Sequence, residues 1–193
     1  QFETNVFGVV RTLKESVDAL ERARGRFVVL GSLAGYLAMP GGAPYSMSKF
    51  AVRALAEALH GELGAVGVGC TLISPGFVDS DIRRVDNRGG LHPQARDPVS
   101  RWLRLDTDVA ARRMVRAILA GRREVIVTAH AKVLVFLARH APRLVRLVLA
   151  RRARGARPEP LARAHPPHRR RLHRALLVAH HEVLGDQGLD ALA

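Results

Sequence analysis

The stretch RFVVLGS, residues 26–32, decides the fold, because it is a short apolar run that no polar alternation interrupts. A run of this length is typical of a strand that is buried on both faces of a parallel sheet. Two further runs have the same character, GVGCTLISPG at residues 67–76 and EVIVT at residues 124–128. The sequence therefore predicts three such strands.

Segments with helical spacing of apolar side chains alternate with these strands. Residues 3–23, 43–63 and 106–121 repeat apolar side chains at three and four positions, and each ends at or near a glycine. This order of helices and strands predicts a doubly wound α/β fold, in which helices cover a parallel sheet. Residues 1–128 form this part of the chain.

The remaining residues have a different composition. The apolar pattern of residues 129–151 predicts an amphipathic helix that is bent near Pro142. Residues 152–193 are rich in Arg, His, Pro and Ala, and we expect this basic tail to be disordered. His165, His168, His173, His180 and His181 lie in the tail at no known zinc spacing, so we expect no metal site there.

Charge and cysteine content narrow the possible partners and the expected location. The net charge is +14 over 193 residues, but the basic tail has almost no aromatic side chains, so we expect no specific nucleic-acid partner. Cys70 is the single cysteine and lies in an apolar run, which predicts a buried, inert thiol. No signal-peptide pattern opens the sequence and no apolar run approaches about 20 residues, so a cytoplasmic location is the default expectation.

The segment APYSMSKF, residues 43–50, carries the first chemical signal. Tyr45 lies four residues before Lys49, so on a helix the two side chains share one face. A nearby ammonium stabilises a phenolate and moves the pKa of a tyrosine toward neutrality, where the phenol can act as a general acid and base. The spacing alone is also compatible with an ordinary surface pair.

Residues near the ends of the predicted strands support the chemical interpretation. Ser32 lies at the carboxyl end of the first strand, which is where parallel α/β folds bind ligands. Asn5 lies on the preceding helix, and SPGFVDSDI at residues 74–82 breaks the second strand at the same edge of the sheet.

Together, TNVFG with Asn5, GSLAG with Ser32, YSMSK with Tyr45 and Lys49, and SPGFVDS after the next strand resemble the C-terminal portion of the short-chain dehydrogenases/reductases. The resemblance covers residues 1–128 well and residues 129–151 more loosely. It implies the last three strands of an incomplete Rossmann-like sheet. It also implies an NAD- or NADP-dependent oxidoreductase that interconverts an alcohol and a carbonyl compound.

The same resemblance implies a role for each residue. Tyr45 would exchange a proton with the substrate oxygen, and Ser32 would hold that oxygen. Lys49 would lower the pKa of Tyr45 and bond the nicotinamide ribose, while Asn5 would anchor a water. Tyr45 and Lys49 would thus also contact the cofactor, and the nicotinamide side would be lined by Pro75, Gly76, Val78 and Ser80.

Two family features, the glycine-rich turn Thr-Gly-x-x-x-Gly-x-Gly and an Asn-Asn-Ala-Gly-like stretch, have no counterpart in these residues. We therefore expect an incomplete gene product that alone binds a dinucleotide poorly, with the strand at 26–32 left as a sheet edge. The resemblance also implies homodimers or homotetramers built on residues 3–23 and 43–63.

The basic helix at residues 129–151 leaves alternatives open. Its leucines and valines alternate with basic residues, which suits peripheral contact with a membrane, a substrate lid or packing on a partner subunit. By analogy we expect a hydrophobic substrate, which the loop at residues 77–106 would cover with Leu91, Trp102 and Leu103. A noncatalytic remnant or membrane-surface binding protein is the rival hypothesis.

Overall fold

The computed structural model describes residues 1–84, 90–92, 94 and 99–155, and the fold is that part of the chain. The predicted tail lies outside the described residues from residue 156 onward. Residues 152–155, which were predicted to be disordered, belong instead to the last helix, which continues to Gly155.

Three parallel strands form one sheet in the order β1-β2-β3. Strand β1 spans Arg26–Leu30, β2 spans Gly69–Ser74 and β3 spans Glu124–Ile126. The parallel α/β fold predicted from the sequence is confirmed. Each strand is shorter than its apolar run, because the last residues of the runs, such as Pro75, form turns that leave the sheet.

Five α-helices accompany the sheet among the described residues. They are α1 (Gly8–Ala23), α2 (Ala43–Ala65), α3 (Thr107–Leu119), α4 (Ala129–His140) and α5 (Pro142–Gly155). A π-helical turn, Glu3–Phe7, leads into α1, and short 3-10 turns lie at Leu33–Gly35, Asp81–Arg84 and Arg101–Leu103. Helix α3 begins as its sequence suggests, because Asp106 Oδ1 accepts a hydrogen bond from the Val109 amide at 3.1 Å.

The core lies on the two faces of the sheet. Helices α1 and α2 cover one face of β1 and β2, where the buried residues are Phe27, Val29, Val52, Ala56, Leu59, Leu63, Val68, Cys70 and Leu72. On the other face, Ala110 of α3 packs with Ile73 and Val127. The thiol of Cys70 is buried as predicted, and this burial raises the pKa of the thiol.

The expectation that β1 is covered on both faces is wrong. Val28 is 37% exposed and Leu30 is 55% exposed, while Phe27 and Val29 are buried. Helix α3 packs where β2 and β3 lie, and the described residues leave the outer side of β1 uncovered. Strand β1 is also an edge of the described sheet, as expected from the sequence.

The single bent helix expected at residues 129–151 is two helices, α4 and α5. They are separated at Ala141, whose φ of −132° and ψ of 54° are not helical. Pro142 explains the break, because its ring disfavours the helical conformation of the residue before it. Among the described residues, no helix combines the length and the apolarity that a bilayer-crossing segment requires.

Candidate active site

The carboxyl ends of β1 and β2 are held together just beyond the sheet. The Gly31 amide donates to the Ile73 carbonyl at 2.7 Å, and the Leu33 amide donates to the Pro75 carbonyl at 2.9 Å. A Cβ on Gly31 would lie 2.8 Å from Ser74 Oγ, so this approach requires glycine. The segment that carries Ser32 therefore contacts the turn that begins at Pro75.

Ser32 begins the 3-10 turn Leu33–Gly35. Its backbone is extended, and its Oγ accepts a hydrogen bond from the Ala34 amide at 3.1 Å. A hydroxyl that accepts in this way still has its own proton to donate. The turn lies against α2 at Gly35, since a Cβ on Gly35 would lie 2.7 Å from the Lys49 carbonyl oxygen.

Tyr45 and Lys49 lie one turn apart near the start of α2. The Lys49 Nζ is 5.8 Å from the centroid of the Tyr45 ring, and it donates to the Leu30 carbonyl at 3.0 Å. Tyr45 is 37% exposed, whereas Lys49 is only 8% exposed. Because burial removes water from the ammonium, the pKa of Lys49 is lowered from its ordinary value.

Asn5 contacts α2 one residue before Lys49. It lies in the π-helical turn, and its Nδ2 donates to Ser48 Oγ at 3.1 Å and to Gln1 Oε1 at 2.9 Å. Ser48 Oγ in turn donates to the Tyr45 carbonyl at 2.8 Å. Turns of the π type are frequent at functional sites. The buried Ser48, which the sequence did not single out, thus links Asn5 to the segment between Tyr45 and Lys49.

The turn Pro75–Phe77 is held from the start of α4 by His130. The Phe77 amide donates to His130 Nε2 at 3.0 Å, and Thr128 Oγ1 lies 3.1 Å from the same nitrogen. The two rings stack with centroids 5.2 Å apart and an interplanar angle of 17°. A Cβ on Gly76 would lie 2.2 Å from Thr128 Oγ1 and 2.5 Å from His130 Nε2, so only glycine fits there.

The two other residues of this segment lie farther along the chain. Val78 is half-buried and forms an isolated parallel bridge with Leu105. Ser80 is exposed and borders a cleft of about 450 Å³, together with Asp79, Asp81, Arg84, Arg101, Arg104 and Thr107. The residues that line this cleft form two ion pairs, Arg104 with Asp79 at 2.9 Å and Arg84 with Asp81 at 3.0 Å. In the described structure no contact joins Ser80 to Ser32 or Tyr45.

The second tyrosine has a different environment. The Tyr36 hydroxyl donates to Glu124 and lies 3.2 Å from Ser74 Oγ, and the Arg53 guanidinium lies 4.3 Å from the ring centroid. Burial, followed by the hydrogen bond to Glu124, raises the pKa of Tyr36 to about 12. Tyr36 therefore keeps its proton near neutral pH.

Metal ligation is not a feature of this region. Among the described residues, no cluster of three or more His, Cys, Asp or Glu side chains could hold a metal ion. The histidines of the tail, from His165 to His181, lie outside the described residues.

Sequence comparison places the chain near known oxidoreductases. Residues 1–89 match the family model of the short chain dehydrogenases. The chain is 39% identical over 74 residues to the mitochondrial D-beta-hydroxybutyrate dehydrogenase of Rattus norvegicus, a match that covers 38% of this chain and 22% of the relative. It is 37% identical over 82 residues to 11-beta-hydroxysteroid dehydrogenase A of Arachis hypogaea, covering 42% and 23% of the two chains. The matches thus span about a quarter of the length of these curated relatives.

The fold is shared with solved structures. A short chain dehydrogenase from Burkholderia cenocepacia J2315, crystallised in complex with NADP, superposes with a TM-score of 0.65 at 21% sequence identity. The superposition covers 77% of this chain and 57% of that chain. At this level of identity the similarity shows the fold, a Rossmann-like parallel sheet with flanking helices.

Proposed function

We propose that this chain belongs to the short-chain dehydrogenase family, whose model matches residues 1–89, and that it supplies the catalytic residues of an NAD(P)-dependent oxidoreductase that interconverts an alcohol and a ketone or aldehyde. One observation carries the proposal: Lys49 buries an ammonium beside the exposed ring of Tyr45, at the sheet edge where Ser32 and Pro75 meet. Burying a cation costs folding free energy, and buried ionisable groups of this kind cluster at functional sites.

In the proposed reaction, a bound reduced nicotinamide would supply hydride to the carbonyl carbon, and the Tyr45 phenol would give its proton to the carbonyl oxygen. The products are the alcohol and the oxidised nicotinamide, and the reverse steps oxidise the alcohol. The Lys49 ammonium stabilises the negative charge that develops on the phenol oxygen. Ser32 donates its hydroxyl proton to the substrate oxygen, which orients the carbonyl toward Tyr45.

The residues present suit a nicotinamide ribose. The Lys49 ammonium has three protons, and the Leu30 carbonyl accepts one of them, so donors remain for ribose hydroxyls. Asn5, through Ser48, braces the helix turn that presents Tyr45 and Lys49, and in this proposal it anchors a water that serves Lys49.

The side of the nicotinamide ring would be lined by the turn at Pro75 and Gly76, followed by Val78 and Ser80. Gly76 allows the close approach of this turn to the start of α4, so the turn has a fixed position against which a flat ring could pack. The choice between NAD and NADP is left open by these residues, because none of them would contact the adenosine ribose.

A hydrophobic substrate fits the residues that follow the turn. Trp102 is 82% exposed, Leu91 is also exposed and Leu103 is half-buried, which makes an apolar surface available on the segment that would cover the substrate. One relative is named for a hydroxysteroid, an apolar alcohol, and another for hydroxybutyrate, a small polar one. We favour the apolar class because of this exposed surface.

Reduction assays with NADPH and NADH test the proposed activity against a panel of apolar and small polar ketones. We expect consumption of the nicotinamide absorbance with at least one apolar ketone, and loss of that consumption in a Tyr45→Phe variant. A Tyr36→Phe variant is the matched control, since Tyr36 retains its proton and should leave turnover intact. Equal turnover in the parent and in Tyr45→Phe would refute the assignment.

A specific surface favours a second candidate function, binding to an anionic membrane surface. Helices α4 and α5 expose the apolar side chains Val133, Phe136, Leu144, Leu147 and Val148. Lys132, Arg139, Arg143 and Arg146 are exposed on the same two helices. The basic side chains of such a helix are attracted to anionic lipid headgroups, and its apolar side chains are buried at the boundary with the acyl chains.

Co-sedimentation with vesicles tests this second candidate. We expect the chain to bind vesicles with anionic lipids and to lose binding when Leu144 and Leu147 are both changed to Ser. A double change of Val115 and Leu119 to Ser removes exposed apolar side chains on α3 instead and serves as the control. If neither anionic nor neutral vesicles bind the parent chain, the membrane-binding proposal is wrong.

Self-association as a homodimer or homotetramer is proposed through the outer faces of α1 and α2. Phe7, Val10, Met47 and Phe50 are exposed there, although they are apolar. Exposed apolar residues grouped on two neighbouring helices mark an interaction surface. Sedimentation analysis should show an oligomer that dissociates when Phe50 is changed to Glu, whereas a parent that sediments as a monomer would refute the proposal.

A further inference from the structure

His130 makes contacts whose chemistry fixes its protonation state. Its Nε2 lies 3.0 Å from the Phe77 amide nitrogen, and that amide can only donate. The Nε2 must therefore be unprotonated, which leaves the imidazole neutral with its proton on Nδ1. Because Nε2 carries no proton, the Thr128 hydroxyl, at 3.1 Å, can only donate to it and shares this acceptor with the Phe77 amide.

The position of His130 ties two parts of the fold together. It lies in the first turn of α4, directly after β3, and it reaches the turn that follows β2. Two backbone carbonyls of that turn accept further hydrogen bonds, both at 2.9 Å. The Leu33 amide donates to the Pro75 carbonyl, and the Leu105 amide donates to the Phe77 carbonyl. The Phe77 amide, between those two carbonyls, has its described acceptor in His130.

We propose that His130 is a positioning residue for the nicotinamide-facing turn, holding Pro75–Phe77 in place through the Phe77 amide and the stacked Phe77 ring. This inference rests on the proposed oxidoreductase function, because it assumes that the turn packs against a nicotinamide. His130 itself touches neither cofactor nor substrate in this proposal. It acts through the backbone of Gly76 and Phe77, which it prevents from moving away from the site.

The geometry around Gly76 explains why the position of this histidine matters. A Cβ at Gly76 would meet His130 Nε2 at 2.5 Å, so the ring lies directly against the turn backbone. A side chain of similar size that cannot accept a hydrogen bond would leave the Phe77 amide without its partner. A side chain that keeps an acceptor at the same reach would preserve the turn.

Three variants separate these cases. His130→Leu removes the acceptor at similar volume, and His130→Gln keeps an amide oxygen that can accept from Phe77. His140→Leu makes the same substitution at the other end of α4, where His140 is exposed and contacts Phe136. Urea unfolding of each variant checks that it is folded before binding is measured.

The readouts are binding of NADPH and of reduced nicotinamide mononucleotide, followed by fluorescence, and deuterium exchange of the Phe77 amide. We expect His130→Leu to weaken binding about three- to tenfold, as loss of one hydrogen bond implies. We expect its Phe77 amide to exchange faster by a similar factor. His130→Gln and His140→Leu should stay within about twofold of the parent in both measurements.

Several results would overturn the proposal. If His130→Leu bound the nucleotides as tightly as the parent, the proposal would be wrong even if its Phe77 amide exchanged faster, because the position of the turn would then not affect cofactor binding. Equal losses of nucleotide affinity in His130→Leu and His130→Gln would show that the hydrogen-bond acceptor at position 130 is not the cause of the weaker binding. If the parent does not bind reduced nicotinamide mononucleotide, the oxidoreductase proposal fails and the positioning role fails with it, while the exchange of the Phe77 amide still reports the hydrogen bond separately.

Discussion

Replacing Lys49 by Met tests whether the buried ammonium serves function rather than folding. Methionine keeps an unbranched stem of similar length and adapts to irregular packing, so the substitution removes mainly the charge. Lys49 is 8% exposed, and its ammonium donates to the Leu30 carbonyl. The question is whether losing that hydrogen bond costs more than burying the charge.

The balance can be worked from the two opposing contributions. A hydrogen bond from a charged group contributes about 1.5–3 kcal/mol, whereas burying an ammonium costs several kcal/mol. The lowered pKa of Lys49 has burial as its cause, so the cost of desolvation exceeds the gain from its contacts. We therefore expect Lys49→Met to keep the free energy of unfolding at pH 7 within about 1 kcal/mol of the parent, or to raise it. Nucleotide binding should be lost at the same time.

The pH dependence of stability tests the same prediction, and its direction follows from the lowered pKa of Lys49. The folded pKa of Lys49 lies below the ordinary value of 10.5, so near that pH the unfolded chain binds more protons than the folded chain. The stability of the parent contributed by this group therefore rises as the pH increases toward 10.5. The raised pKa values of Cys70 and Tyr36 lower stability at alkaline pH in both proteins, so the assay compares the parent with the variant. The free energy of unfolding of the parent relative to Lys49→Met, from urea unfolding followed by circular dichroism, should rise between neutral and alkaline pH.

Lys132→Met is the matched control, since Lys132 is exposed on α4 and should leave both the alkaline rise and nucleotide binding intact. A loss of more than about 3 kcal/mol in Lys49→Met, which is the size expected when a buried pair is broken, would refute the reasoning. So would an alkaline rise in the variant equal to that of the parent.

Three further predictions concern the neighbouring residues. Gly76→Ala forces Thr128 and His130 away from the turn, and urea unfolding should show a loss of about 1–3 kcal/mol; an unchanged midpoint would contradict the close approach. Tyr36→Phe removes the hydroxyl that donates to Glu124, and the free energy of unfolding should fall by about 1 kcal/mol with nucleotide affinity unchanged. Because burial lowers the pKa of His130, the stability it contributes is present above about pH 6.5 and is lost as the pH falls through the lowered folded value; acid unfolding of His130→Gln should lack this component.

The sequence predicted the elements of the fold from local patterns, and the structure shows where local patterns stop being sufficient. Apolar runs identified all three strands, because burial between helix layers selects such runs whatever their neighbours are. The exposure of Val28 and Leu30 depends on which elements cover β1, and the sequence of the strand does not indicate which elements these are. The break at Ala141 was readable from Pro142, but whether a proline bends or divides a helix depends on the packing around it.

The candidate site divides in the same way. Tyr45 and Lys49 were found because helical spacing brings them together over four residues. His130 was missed because its contact with Phe77 spans 53 residues of sequence. The available signal was a histidine just after the third predicted strand, at the sheet edge where the second strand also ends.

The most direct test of the central claim is the turnover of Tyr45→Phe with the nucleotide and ketone that the parent uses. The account predicts that kcat falls at least about 100-fold, as expected when a general acid is removed, while nucleotide affinity stays within about twofold of the parent. A Tyr45→Phe protein that turns over at the rate of the parent would contradict the claim that this phenol carries the proton.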